Sequence, residues 1–280
     1  MSGFGGFRRA VVDRNEKSNK GILVSWRECI VIALSGGCIL AAWLSPPVAQ
    51  DPAYHDFADS RSLLGIANFW NVASNLPFLA AGVWGLLHSG SCRRDLVPAA
   101  MIFSLGLVLI CLGSSWYHLQ PSNETLVWDR LSMTVSFMAF FSFSLVLVTR
   151  STGVHHILWP LLVAGVASVL YWDLSEAAGQ GDLRAYALIQ FLPGLLIALF
   201  LLLYPRRFPA GKTLWFAIAA YALAKLLEWQ DRFIFDELLP LSGHTLKHLA
   251  ATLGACCVIR AMLTSSGDNN VRREKSGSEA

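Results

Sequence analysis

The chain has 280 residues, 54% hydrophobic and only 15% charged, with a mean hydropathy of +0.49. Soluble domains carry about 25% charged residues, so an ordinary soluble globule is excluded and a membrane protein is indicated. The net charge of +3 is too small for a nucleic-acid partner, and no GxGxxG, P-loop or basic aromatic-interleaved helix is present.

A spanning helix needs about 20 mostly apolar residues. Eight runs of this kind are predicted in chain order: 28–45, 68–88, 97–119, 126–149, 156–172, 185–204, 213–230 and 243–262. The fold class expected is therefore an all-α polytopic membrane bundle. Polar tails flank it at 1–27 and 263–280. The first run precedes "AAWLSPPVAQ" and invites a reading as a cleaved leader, but its long polar lead-in favours a retained helix. The six cysteines form no CxxC pair and sit mostly in apolar runs, as packed, reduced residues do.

Lysine and arginine bias sets the orientation. Arg8, Arg9, Arg14, Lys17, Lys20 and Arg27 precede the first run. With that tail in the cytoplasm, Arg93–Arg94, Arg150, Arg206–Arg207–Lys212 and Arg272–Arg273–Lys275 all fall inside. The alternate connections are acidic: Asp51, Asp56 and Asp59; Glu124; Asp173, Glu176 and Asp182; Asp236 and Glu237. Both termini are then cytoplasmic.

Depth follows from this topology. The third run travels outward and ends at His118, with Ser114 one turn deeper on the same face. The fourth travels inward from near Asp129, and the eighth travels inward from "SGHTLKHLAA", with His244 and His248 again at i and i+4. Ser114, His118, Asp129, His244 and His248 thus share the outer third of the membrane, near the exoplasmic face, be that periplasmic, extracellular or lumenal. Three imidazoles suit a catalytic zinc, which takes three protein ligands and keeps a fourth position open. An aspartate beside its water can accept a proton, and a serine can hydrogen-bond water, carbonyl or oxyanion. A histidine within a membrane is also often a simple interhelical hydrogen-bonding group. Several polar groups at one level weigh against that here.

At these residues, "SSWYH", "WDRLSM" and "HTLKH", together with "FWNVASN" at 69–75, the sequence resembles the alkaline ceramidase family. That family lies within the CREST group of membrane hydrolases, which also includes adiponectin-type receptors. The likeness covers about 55–262 and implies a seven-helix core over 46–262, with 28–45 as an extra N-terminal helix. It also implies the roles. His118, His244 and His248 hold Zn2+, Asp129 is the general base for zinc-bound water, and Ser114 positions that water or stabilises the tetrahedral intermediate. The reaction implied is amide hydrolysis of ceramide, or another N-acyl lipid of the bilayer, to fatty acid and sphingoid base. Family members of eukaryotes have an acidic Ca2+ site ending in a glutamate before "FWN". Here Asn68 stands in that place, with Asp56 and Asp59 upstream in a different arrangement, so Ca2+ is only a secondary expectation.

Tyr186 is either an oxyanion donor or an interfacial belt tyrosine. Lys225, Glu228, Asp231 and Arg232 read as a structural or headgroup-contacting run, Lys247 as a residue snorkelling to the outer interface, and Asn68, Asn71 and Asn75 as a hydrogen-bonded stripe. Two competing functions keep the fold: a receptor-like zinc protein of the adiponectin-receptor type, and an ion or proton transporter. Clustering of the polar groups near one face disfavours transport. Protein partners are unspecified by the sequence.

Overall fold

The computed structural model describes residues 25–151 and 153–265. The tails expected at 1–27 and 263–280 fall almost wholly outside these residues, as do most of the basic residues used for orientation at the two ends. The described chain is helical, and its only β feature is an isolated bridge between Leu63 and Ile66.

Each of the eight apolar runs is a helix, and the second is broken in two. In order they are α1 (Trp26–Leu44), α2 (Phe69–Ala73), α3 (Leu76–His88), α4 (Val97–Leu119), α5 (Asn123–Thr149), α6 (Val154–Ala177), α7 (Arg184–Leu203), α8 (Gly211–Trp229) and α9 (Gly243–Thr264). The break at Ser74–Asn75 follows from Pro77 in the first turn of α3. Proline offers no N–H to continue a helix from α2. α5 begins three residues earlier than hydropathy suggests, because Ser122 caps it. The Ser122 hydroxyl accepts from Thr125 N–H, and Thr125 Oγ1 accepts from Ser122 N–H at 3.1 Å.

Among the described residues, six helical segments are long and apolar enough to cross a bilayer: Trp26–Leu44, Arg94–Leu119, Asn123–Thr149, Val154–Ala177, Arg184–Leu203 and Gly243–Thr264. The chain is a multi-pass membrane protein. α3 is short, at 13 residues, and α8 carries Lys212, Lys225 and Glu228.

In lipid, helices associate through close packing and polar contacts rather than by escape from water. The residues at the interfaces are accordingly small. A Cβ on Gly113 of α4 would stand 2.5 Å from the Trp128 carbonyl oxygen of α5, and one on Gly106 would collide with Ser136. α4 and α5 pack along their length, as do α8 and α9 and α3 and α4. α1 has no buried residue and lies mainly against α7.

This connectivity brings the end of α4 and the starts of α5 and α9 to one end of the bundle. Arg94, Arg150 and Arg260 belong to the other.

Candidate metal centre

His118 is in the last turn of α4, and His244 and His248 are in the first two turns of α9. All three are at most 5% exposed. Their ring centroids form a near-equilateral triangle of 4.8, 5.1 and 5.0 Å. One ligand nitrogen from each lies within 4.8 Å of the others, and this is the one His/Cys/Asp/Glu group among the described residues arranged to hold a metal ion.

The donor set fits an ion. Two nitrogens each about 2.0–2.1 Å from one tetrahedrally coordinated ion stand about 3.4 Å apart; Nε2 of His244 and Nε2 of His118 are 3.3 Å apart. His248 is also set up as a ligand. The Ser74 hydroxyl donates to the Asn71 carbonyl at 3.1 Å, so at 2.7 Å it accepts from His248 Nδ1–H. That hydrogen-bond chain assigns the proton to Nδ1 and leaves the Nε2 lone pair free, as supporting groups around metal-bound histidines do.

Local structure explains why α9 delivers its histidines here. The Ser242 hydroxyl caps the helix by accepting from Thr245 N–H at 3.1 Å. His244 N–H donates to Asp231 Oδ1 at 2.6 Å, while Asp231 Oδ2 accepts from Ala58 N–H at 3.0 Å. Asn71, fully buried, accepts from Thr245 Oγ1 at 2.8 Å, and its own amide donates to the Asp59 carbonyl at 3.1 Å. The expected asparagine stripe thus pins the start of α9 against α2. Asn68 acts on the other side, its Nδ2 donating to the His118 carbonyl at 2.8 Å. Phe57 covers the site, with its ring 4.7 Å from His118 and 4.5 Å from His244.

Ser114 on α4 and Asp129 on α5 are both buried at this end of the bundle. The five side chains expected to share a level do lie at the same end of the bundle.

Asp56, Asp59 and Asn68 have separate partners. Asp59 accepts from Arg61 Nε at 2.8 Å and Nη2 at 2.6 Å, and exposed Asp56 pairs with Arg232 at 2.9 Å. Hydrogen bonding to Asp59 holds the Arg61 guanidinium above its ordinary pKa. The Asp59 carboxylate is thus already neutralised by a fixed cation, and Arg61 also ties it to the Pro240 carbonyl at 2.6 Å. These acidic groups strap the outer loop to the bundle.

Two residues differ from the sequence reading. Lys247 turns into the bundle instead of snorkelling. Its Nζ donates to Glu228 Oε1 at 2.6 Å, and Lys225 takes the other oxygen at 2.7 Å. An ammonium with an internal carboxylate partner has no need of the interface. Tyr186 is 4% exposed and packs with Trp172 and Tyr117 rather than in an aromatic belt. Ser74 and Arg130 are absent from the sequence-level site. Ser74 was discoverable inside the Asn71–Asn75 stripe; Arg130 adjoins Asp129 but carries no periodic signal.

A family model described as Ceramidase matches residues 61–275. No curated protein matches the chain.

Proposed function

The chain belongs to the ceramidase family, and from that membership we propose that it is an integral-membrane, zinc-dependent amidase. It hydrolyses the N-acyl amide of ceramide-like lipids to a fatty acid and a sphingoid base. The observation that carries this reading is the buried triangle of His118, His244 and His248 with Ser74 behind it. His118, His244 and His248 would hold the zinc, which would supply a Lewis acid able to polarise the amide carbonyl and make water a nucleophile near neutral pH.

The chain's own residues do the rest. Asp129 accepts the proton released by the attacking water on a carboxylate oxygen and returns it to the departing amine nitrogen, so that proton and leaving group balance. Ser114, buried at the same end of the bundle, is assigned to position the attacking water or to stabilise the tetrahedral intermediate. Phe57 and the aromatic cluster behind it exclude bulk water from the imidazoles. The substrate reaches the centre laterally from the outer leaflet. The termini are assigned to the cytoplasm, because Arg94, Arg150 and Arg207 lie at the end of the bundle opposite the histidines. Asp56, Asp59 and Asn68 are assigned a structural part with no calcium, and Tyr186 a place in the wall of the lipid site.

The test is metal analysis after purification in mild detergent, together with fatty-acid release from a panel of N-acyl lipids with and without chelator. His244→Ala should lose both zinc and turnover, and Asp129→Ala should keep the metal while turnover falls by at least about 10²-fold. Retained metal and retained hydrolysis in His244→Ala would reject the assignment.

A further inference from the structure

Arg130 follows Asp129 on α5 and is 5% exposed. Its guanidinium sits 3.9 Å from the Trp172 ring centroid and 4.7 Å from that of Tyr186, with Tyr54 at 5.9 Å. One arm, Nη2, donates to Gln50 Oε1 at 2.5 Å. The other, Nη1, is buried with no hydrogen-bond partner, and no carboxylate forms an ion pair with Arg130 among the described residues. The carboxylate of Glu176 is engaged by Gln50 N–H at 2.5 Å and by the Trp172 indole at 3.2 Å.

A permanently charged group with an unsatisfied donor is costly at this depth, and cation–π contacts relieve only part of that cost. A guanidinium fork is shaped for a planar carboxylate. The cage has an accessible wall, since Tyr54 is 37% exposed. It is also continuous with the metal centre: Trp172 and Tyr186 belong to the same buried cluster as Phe57 and Tyr117, which pack against His118.

We propose that Arg130, caged by Tyr54, Trp172 and Tyr186, receives a carboxylate carried by the lipid. This rests on the amidase reading and narrows its substrate class. The carboxylate has two sources: the fatty acid released by hydrolysis, or the headgroup of an N-acyl amino acid, an amide that is anionic where ceramide is neutral.

Kinetics with purified protein separate them. If the headgroup is read, wild type has a KM for N-palmitoylglycine about tenfold below that for its methyl ester. If the product is read, hexadecanoate inhibits and hexadecanol does not. In Arg130→Gln the acid/ester ratio or the hexadecanoate inhibition collapses; Arg130→Lys, which keeps the charge and loses the fork, restores part of it. Should Arg130→Gln fail to fold, the wild-type acid/ester and hexadecanoate/hexadecanol comparisons decide alone. Equal KM for acid and ester, with hexadecanoate no better than hexadecanol, overturns the proposal. Hexadecanoate-specific stabilisation against heating, lost in Arg130→Gln, needs no turnover. It therefore still reads this site if no amide is hydrolysed, a result that sinks the amidase reading alone.

Discussion

The Ser74 hydroxyl is the smallest group on which the proposed metal centre depends. It donates a hydrogen bond to the Asn71 carbonyl and so accepts one from His248 Nδ1–H. Removing it frees the imidazole to rotate or to move its proton to the nitrogen that should face the ion. Groups in this position typically contribute 10–100-fold in metal affinity. Ser74→Ala should therefore bind zinc about 10–100-fold more weakly in a competitive chelator titration, and excess zinc should restore hydrolysis. Unchanged affinity would mean that His248 is oriented by its helix alone. The sequence revealed the histidines themselves because i, i+4 spacing and the direction of each run give both face and depth. It left Ser74 and Arg130 obscure for the same reason: spacing describes a residue's own helix and says nothing of which neighbouring helix it meets. Ser74 meets His248 across 174 positions, and Arg130 meets Gln50 across 80.

Among elements, the α4–α5 pair controls the site, since it carries His118 and Ser114 on one side and Asp129 on the other. Gly113 makes their approach possible. A Cβ there would meet the Trp128 carbonyl oxygen at 2.5 Å, its carbon at 2.9 Å and Ser132 Oγ at 3.1 Å. Backbone atoms within a helix cannot step aside singly, so Gly113→Ala must push the two helices apart beside Ser114 and Asp129. Overpacking of this kind costs about 1–3 kcal/mol, and small displacements of catalytic groups cost up to about 10²-fold in rate. Gly113→Ala should lower the melting midpoint in detergent and cut turnover by roughly 10–100-fold. Gly36→Ala on α1, where a Cβ meets nothing within 4 Å, is the control and should change neither. Equal behaviour of the two variants would refute the close-approach argument. The helices were legible from hydropathy, but the close approach at Gly113 was not. The α2–α3 break was not legible from hydropathy, because "FWNVASNLPFLAAGVWGLLH" is apolar enough on average to read as one run despite Asn71, Ser74 and Asn75, while the interruption comes from one proline.

For the whole molecule, the question is how α1, outside the 61–275 family match, joins the rest. Val31 and Leu34 pack against the hydrophobic core, and a local polar attachment holds its carboxyl end. Arg184 Nη1 donates to the Ser45 carbonyl at 2.5 Å and reaches those of Ala42 and Trp43 at 3.5 Å, giving the carboxyl end of α1 a cation and a donor. Leu183 N–H adds a bond to the Val48 carbonyl at 2.8 Å. Asp182 aims that arginine, accepting from its Nε and Nη2, both at 2.8 Å. Those hydrogen bonds hold the Asp182 carboxyl well below the ordinary carboxylate range, against the opposing effect of burial. A depressed folded-state pKa contributes stability that is fully present above the unfolded value of about 3.9 and is lost only as pH falls through the folded value. The α1 attachment should therefore be independent of pH between about 5 and 8 and fail only in strong acid. Asp182→Asn removes the anion at every pH and leaves Arg184 unaimed. Hydrogen exchange at residues 41–48 should then accelerate on the order of tenfold at neutral pH, while lipid hydrolysis changes by less than about threefold, because α1 has no buried residue and lies mainly on α7. If Asp182→Asn instead abolished hydrolysis with exchange in α1 unaltered, the pair would belong to the catalytic bundle, and α1 would owe its place to apolar packing alone.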